Sequence, residues 1–207
     1  MTNELFPIND ELHRLSLQDA EVYFLRKLAL QRDIERILAD LIRDTPWRSE
    51  EVAVWGRRFK QPRLVAWYGD PGSTYTYSGI HLAPLPWTTL LLEVKMRVED
   101  ASRTRFNSLL LNYYRDQHDS MGMHSDDERE LGPRPVIASL SLGQQRTLIL
   151  RHKTRRDLKS VRLPLPSGSL LVMAGETQRN WLHGIGKEAR MLGPRVNLTF
   201  RQILLTA

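Results

Sequence analysis

Three side chains in this sequence could hold a metal ion. His124 and Asp126 stand two residues apart in MGMHSDDERE, so an extended backbone sends both to the same face. A second imidazole, His183, follows well downstream, beyond an apolar stretch at 169–173. Two neutral imidazoles and one carboxylate on one side of an Fe(II) ion leave adjacent coordination positions open. A co-substrate and dioxygen can then bind together, as in non-haem oxygenases. Zinc also accepts two histidines and a carboxylate, so the triad alone leaves both metals open.

The segment GPRVNLTFRQILL narrows the choice. In a strand starting near Arg195, the side chains of Arg195, Asn197, Thr199 and Arg201 share one face, and Val196, Leu198 and Phe200 share the other. With so apolar an opposite face, the polar side is read as interior. Guanidinium groups tolerate burial when a carboxylate grips them bidentately. A small dicarboxylate satisfies both arginines, and 2-oxoglutarate is the dicarboxylate that an Fe(II) site with open positions uses. Just upstream of the His-x-Asp pair, Asn112 and Tyr114 alternate onto one face of SLLLNYYRD, where an amide and a phenol can hydrogen-bond a bound carboxylate.

These residues need a scaffold of short strands. Residues 106–114, 136–142, 146–152, 161–164, 169–173 and 195–204 read as strands, punctuated by Ser-Leu-Gly (141–143) and Pro-Ser-Gly (166–168). Many short strands with regular turns predict a sandwich or barrel. Ahead of them, Val22 and Phe24 suit a short strand. Apolar positions at Ile34, Ile37, Leu38, Leu41 and Ile42 predict an amphipathic helix ended by Pro46. A second helix is predicted over Thr88–Arg97. Between the two helices lie strand-like pieces separated by Gly and Pro turns, and 151–162 (RHKTRRDLKSVR) is a basic loop. Residues 1–18 are expected to form a polar leader, followed by one domain over 19–207.

The 207 residues are 41% hydrophobic and 26% charged, ordinary for a globular domain. Thirty Lys and Arg against 24 Asp and Glu give +6, which favours a polyanionic partner. The absence of cysteine removes disulfides, thiolate nucleophiles and Cys-ligated zinc. No apolar run approaches the roughly 18–20 residues that span a bilayer, and MTNELFPINDEL lacks the layout of a secretory signal. A soluble, intracellular protein without membrane contact is expected.

The motifs together resemble the AlkB family of Fe(II)/2-oxoglutarate dioxygenases, closest to its duplex-DNA-repair branch, over most of the chain from about Val52 to Leu204. The resemblance is carried by Asn112-x-Tyr114, by His124-x-Asp126-Asp127-Glu128, by His183 and by Arg195-x-Asn197-x-Thr199-x-Arg201. The last motif is the most specific. Further likeness lies in YGD (68–70), TYTYSG (74–79), IASLSLG (137–143), RHK (151–153) and LPSGSLLVM (165–173). The resemblance implies a mostly β (α+β) fold: a double-stranded β-helix (jelly-roll) core over about 105–207, N-terminal helices, and a nucleotide-recognition lid over about 50–85.

It also implies roles. Fe(II) would sit on His124, Asp126 and His183, with 2-oxoglutarate and dioxygen as co-substrates. Arg195 with Tyr114 would pair with the distal carboxylate of 2-oxoglutarate. Arg201 with Asn112 would hold its other end, and Asn197 and Thr199 complete the set. The implied activity is oxidative removal of methyl groups from base nitrogens in nucleic acid, releasing formaldehyde and succinate. The target atom lies on a Watson–Crick edge, so a base in duplex must be flipped out. Tyr75, Thr76, Tyr77 and Ser78 would receive that base. Asp127 and Glu128 would face its polar edge and suit cationic bases such as 1-methyladenine or 3-methylcytosine.

Trp55 and Gly56, followed by Arg57 and Arg63, resemble the aromatic–Gly–basic wedge of the duplex-preferring branch, where charges hold phosphates while an aromatic enters the stack. Two features depart from that branch: the basic loop 151–162 is shorter, and Glu188 interrupts the basic residues after His183. DNA, with single strand and duplex both open, is the expected partner of a monomeric enzyme, cytoplasmic in a bacterium or nuclear in a eukaryote. The alternatives are a related dioxygenase acting on RNA or a protein side chain, and a non-catalytic nucleic-acid-binding jelly roll.

Overall fold

In the computed structural model the segment Arg195–Arg201 is a strand buried on both faces, and the layers are arranged around it. The structure describes residues 11–49, 51–54, 57–73, 75–77, 80–82 and 84–204, with backbone alone at 52–54, 57–59, 75–77 and 80–82. In chain order these residues form β1 (His13–Leu15), β2 (Glu21–Leu25), α1 (Ile34–Asp44), β3 (Glu51–Val54), β4 (Arg57–Lys60), β5 (Leu64–Gly69), β6 (Tyr75–Tyr77), β7 (Ile80–Leu82) and α2 (Thr89–Ser102). The second half adds β8 (Ser108–Tyr114), β9 (Met121–His124), β10 (Ile137–Gly143), β11 (Arg146–His152), β12 (Val161–Leu165), β13 (Leu170–Ala174), α3 (Thr177–Asn180), β14 (Trp181–Ile185) and β15 (Arg195–Arg201).

Seven strands make a large antiparallel sheet in the order β1-β2-β13-β10-β15-β8-β5, and four make a smaller one in the order β12-β11-β14-β9. The sheets face each other, as the jelly-roll expectation requires. β3–β4 and β6–β7 are separate two-stranded hairpins in the stretch expected to form a lid.

Strand periodicity explains the layering. Val196, Leu198 and Phe200 pack with Ala138, Leu140, Leu109 and Leu111 against Ile37 and Leu41 of α1 and Leu91, Val94 and Val98 of α2. The other face of the large sheet meets Leu148, Leu150, Leu163 and Ile185 of the small sheet. At ~1.5–3 kcal/mol for each fully buried Leu, Val or Phe, both layers contribute heavily to the driving force for folding. β15 lies between them, so its alternation assigns hydrocarbon to the helices and polar groups to the space between the sheets.

The two long helices each start at a side-chain cap. Asp33 accepts from the Arg36 N–H of α1, and Thr88 from the Leu91 N–H of α2. α1 stops before Pro46, as predicted. α2 runs to Ser102, beyond the predicted Arg97, because Val98 continues its buried stripe and Glu99 accepts from Phe106 N–H and pairs with Lys95 and Arg105. It ends where Arg103 turns left-handed at φ 52°.

Three other expectations shift. The leader expected over 1–18 contains β1, which pairs with β2 at the sheet edge. The strand expected to reach residue 204 ends at Arg201, because the Asn107 side chain takes both the N–H and the carbonyl of Ile203. β9 and β14 were not predicted as strands. MGMH and WLHGI are short, glycine-containing and without alternation.

Candidate metal and co-substrate site

β9 and β14 are the strands that build the metal site. They pair antiparallel with His124 opposite His183. Asp126 lies just past the end of β9, where its backbone N–H donates to Gln178 Oε1 at 3.0 Å. Gln178 sits in α3, the single turn that leads into β14, so one short segment places both His183 and the loop of Asp126. The ligand atoms of the three residues lie within 4.8 Å of one another. His124 Nε2 is 4.0 Å and His183 Nε2 3.8 Å from carboxylate oxygens of Asp126.

The surroundings of the triad suit a cation. His124 Nδ1 lies 2.9 Å from the Gly122 carbonyl, which can only accept, so Nδ1 donates there and Nε2 is the nitrogen turned towards Asp126. Burial, reinforced by His124, pushes the His183 pKa down to about 3, leaving a neutral imidazole at neutral pH. For Asp126, burial opposes ionisation. Arg201, His183 and His124 outweigh it, and the carboxyl is pulled down to about 2. Arg201 Nη2 donates to Asp126 Oδ1 at 2.7 Å, with both side chains at most 4% exposed. Two imidazoles and a fixed carboxylate converging from one side fit Fe(II).

The adjoining cavity fits a dicarboxylate. Arg195 is 2% exposed, donates through Nη2 to Ser141 Oγ at 2.9 Å, and has buried Nε and Nη1 atoms without a hydrogen-bond partner. Among the described residues no carboxylate pairs with it. Its guanidinium lies 4.9 Å from the ring centroid of the buried Tyr114. Burial lowers the Arg195 pKa because the guanidinium has lost its water. Unpartnered donors on a buried cation are costly unless an anion meets them, so this end of the cavity is built for a carboxylate. Tyr114, Arg195, Asn197, Thr199, Arg201 and the triad all line the same cavity.

The structure gives partners to the other residues expected to hold the co-substrate. Arg201 is turned to Asp126. Asn112 Oδ1 accepts from Arg63 Nε at 2.7 Å. Arg63, expected to hold a phosphate at the surface, is only 4% exposed in this arrangement. It follows the β3–β4 hairpin directly, and its long side chain reaches the polar face of β8. Asn197 and Thr199 form an internal chain: Thr199 Oγ1 donates to Asn197 Oδ1, and Asn197 Nδ2 donates to Ser139 Oγ and the Leu140 carbonyl. They fix β15 to β10 as well as lining the cavity.

At the mouth, Asp127 is exposed and meets Lys153 Nζ at 3.3 Å and Ser125 Oγ at 2.8 Å. Glu128 has a buried Oε2 with no hydrogen-bond partner. Tyr75, Thr76 and Tyr77 form β6, in register with Leu82, His81 and Ile80, and Arg57 opens β4 opposite Val54. Trp55, Gly56 and Ser78 lie outside the described residues.

Gln178, Ser139, Ser141 and Arg146 were missed. Arg146 left a signal, since it is in phase with Leu148 and Leu150 on the inward face of β11. Gln178 left none: a polar residue in a four-residue helix looks like any other in sequence.

Fold and site together define a non-haem Fe(II) oxygenase that uses 2-oxoglutarate. A family model described as the 2OG-Fe(II) oxygenase superfamily matches residues 21–201. The chain is 47% identical over 162 residues to mouse DNA oxidative demethylase ALKBH2, covering 75% of this chain and 68% of that protein. Its identity to the mouse alpha-ketoglutarate-dependent dioxygenase alkB homolog 3 is 43% over 180 residues, covering 83% and 62%. The chain therefore spans about two thirds of the length of these relatives. A solved structure titled "The structure of OsALKBH1" aligns at a TM-score of 0.61 and 20% identity, covering 87% of this chain and 97% of that one, a likeness of fold alone. The chain belongs to the 2OG-Fe(II) oxygenase superfamily and, within it, to the AlkB family.

Proposed function

We propose that this chain repairs alkylated nucleic acid by oxidative demethylation of N-methylated bases, with 1-methyladenine and 3-methylcytosine in DNA as substrates. The observation that carries the proposal is the buried Arg195–Tyr114 end of a cavity whose other end holds His124, Asp126 and His183. The names of the mouse relatives, one of them a DNA oxidative demethylase, support the same activity. One chain carries all three metal ligands and the clamp, which supports action as a monomer.

Fe(II) held by His124, Asp126 and His183 would supply the oxidising chemistry: 2-oxoglutarate and dioxygen would give succinate and carbon dioxide, the second oxygen atom going to the N-methyl carbon, which is lost as formaldehyde. The protein supplies position and dryness. Arg195 and Tyr114 take the distal carboxylate. Arg201 keeps Asp126 ionised and fixed, and Gln178 holds the backbone beneath it. His124, with 29% of its side chain exposed, lies on the open side, from which a base can approach. Asp127 and Glu128 follow Asp126 directly and place negative charge where a cationic methylated base would enter. A base in duplex must leave its stack to reach this depth, and Tyr75 and Tyr77 are proposed to receive it while Trp55 fills the gap.

The test is a comparison of oligonucleotides carrying 1-methyladenine or 3-methylcytosine, single- and double-stranded, in DNA and RNA, with formaldehyde and base reversal as readouts. Reversal in DNA is expected. Succinate formation with every methylated strand unchanged would remove the repair function while sparing the oxygenase.

A further inference from the structure

Arg146 is 1% exposed, one of the largest fully buried side chains in the molecule, and the metal and co-substrate chemistry described above does not use it. It opens β11 in phase with Leu148 and Leu150, so strand geometry directs it between the sheets. Its Nη2 donates to the carbonyls of Asp119 at 2.9 Å and Gly186 at 2.6 Å, and its Nη1 to that of Asp116 at 3.2 Å. Two carboxylates lie nearby. Glu188 Oε1 is 3.4 Å from Arg146 Nε, with 27% of its side chain exposed, and Asp119 is held bidentately by Arg115. The Arg146 charge is thus only partly answered.

The guanidinium also lies 5.5 Å from the ring centroid of Tyr114, the ring that Arg195 approaches at 4.9 Å. Two buried cations share one tyrosine at the end of the cavity where Arg195 lacks a carboxylate. Burial lowers the Arg195 pKa, Tyr114 raises it, and Arg146 lowers it again, so the two cations repel each other across the ring. Repulsion between like charges in a poorly screened interior is relieved by an anion that meets one of them.

We propose that Arg146 is a positioning residue for 2-oxoglutarate, raising the positive potential at the Arg195–Tyr114 end of the cavity and so tightening the hold on the distal carboxylate. The proposal rests on that end being the co-substrate clamp. A purely structural strut would support every ligand of the metal equally. A charge acting on the distal carboxylate would discriminate between ligands that have one and ligands that lack it.

The experiment is calorimetric titration of the Mn(II)-loaded protein, under conditions without turnover, with 2-oxoglutarate and with 2-oxopentanoate. The second ligand keeps the chelating end and lacks the distal carboxylate. The wild type should prefer 2-oxoglutarate; equal affinities would remove the clamp itself, and with it this proposal. Arg146→Met should weaken 2-oxoglutarate about tenfold and leave 2-oxopentanoate unchanged, whereas Arg146→Lys, which keeps the charge, should retain most of the affinity. Unchanged 2-oxoglutarate binding in Arg146→Met, or equal loss of both ligands, would overturn the proposal.

Should Arg146→Met not fold, Glu188→Gln at the half-exposed partner gives the opposite test. Removing the negative charge should tighten 2-oxoglutarate about twofold, the small effect expected of a screened pair, without changing 2-oxopentanoate. No change, or weaker binding, would contradict the electrostatic role.

Discussion

His124 and His183 stand opposite each other across the β9–β14 ladder, with ring centroids 4.3 Å apart. Segments far apart in sequence thereby deliver two metal-binding nitrogens to one place. The approach depends on Gly184, where an added Cβ would meet the Met121 carbonyl at 2.9 Å and the Gly122 carbonyl at 3.0 Å.

Gly184→Ala should therefore push β9 away from β14 and separate the imidazoles. The expected outcome is a loss of metal affinity of about tenfold or more, comparable to disturbing the partners of metal ligands in other sites, in a protein that stays folded. Titration with Mn(II) measures it, and wild-type affinity would show that the ladder tolerates the extra carbon.

The two exposed-to-buried extremes of the triad should differ in stability. Asp126→Ala takes the carboxylate away from the buried Arg201 guanidinium and should cost about 3–5 kcal/mol in the metal-free protein. His124→Ala, at the open rim, should cost only about 1 kcal/mol. Both should abolish turnover. Urea midpoints without metal separate the two effects; equal costs would mean that the Arg201–Asp126 pair does not stabilise the fold.

His183 gives a pH dependence with a definite sign. Its pKa is pushed down to about 3 in the folded state by burial and His124, against roughly 6.5 in an unfolded chain. Between those values the unfolded chain binds the extra proton, so stability falls as pH drops from about 6.5 towards 3. At pH 5 the loss from this group is on the order of 2 kcal/mol. His183→Leu removes this contribution. Comparing urea midpoints of the metal-free proteins at pH 7.5 and 5 should show a smaller drop in the variant, and equal drops would contradict a buried neutral imidazole.

The sequence revealed β15 and the clamp most clearly, because a strand buried on both faces writes its two environments as strict alternation from Arg195 to Arg201. The triad was readable as residue types, yet its geometry was not. β9 and β14 are short and interrupted by glycine, and only their mutual pairing makes them strands. The pairing of Arg201 with Asp126 and of Arg63 with Asn112 depends on how far long side chains reach across the sandwich, which periodicity does not encode. Arg146 was readable in phase with its leucines, but a basic residue at a strand start more often marks a surface.

Trp55 tests the duplex part of the proposal. Trp55→Ala should lower activity on a methylated duplex about tenfold more than on the single strand, since only the duplex needs its stack held open. Parallel losses on both substrates would favour a packing role for this side chain.

If His124, Asp126 and His183 hold the iron at the Arg195–Tyr114 cavity, losing one ligand must stop both halves of the reaction. The yield of formaldehyde and succinate from one 1-methyladenine oligonucleotide, with wild type and Asp126→Ala side by side, measures this. The wild type should give the two products in equal amounts, with restored adenine, and the variant neither. Wild-type yields from Asp126→Ala, or succinate without formaldehyde from the wild type, would contradict it.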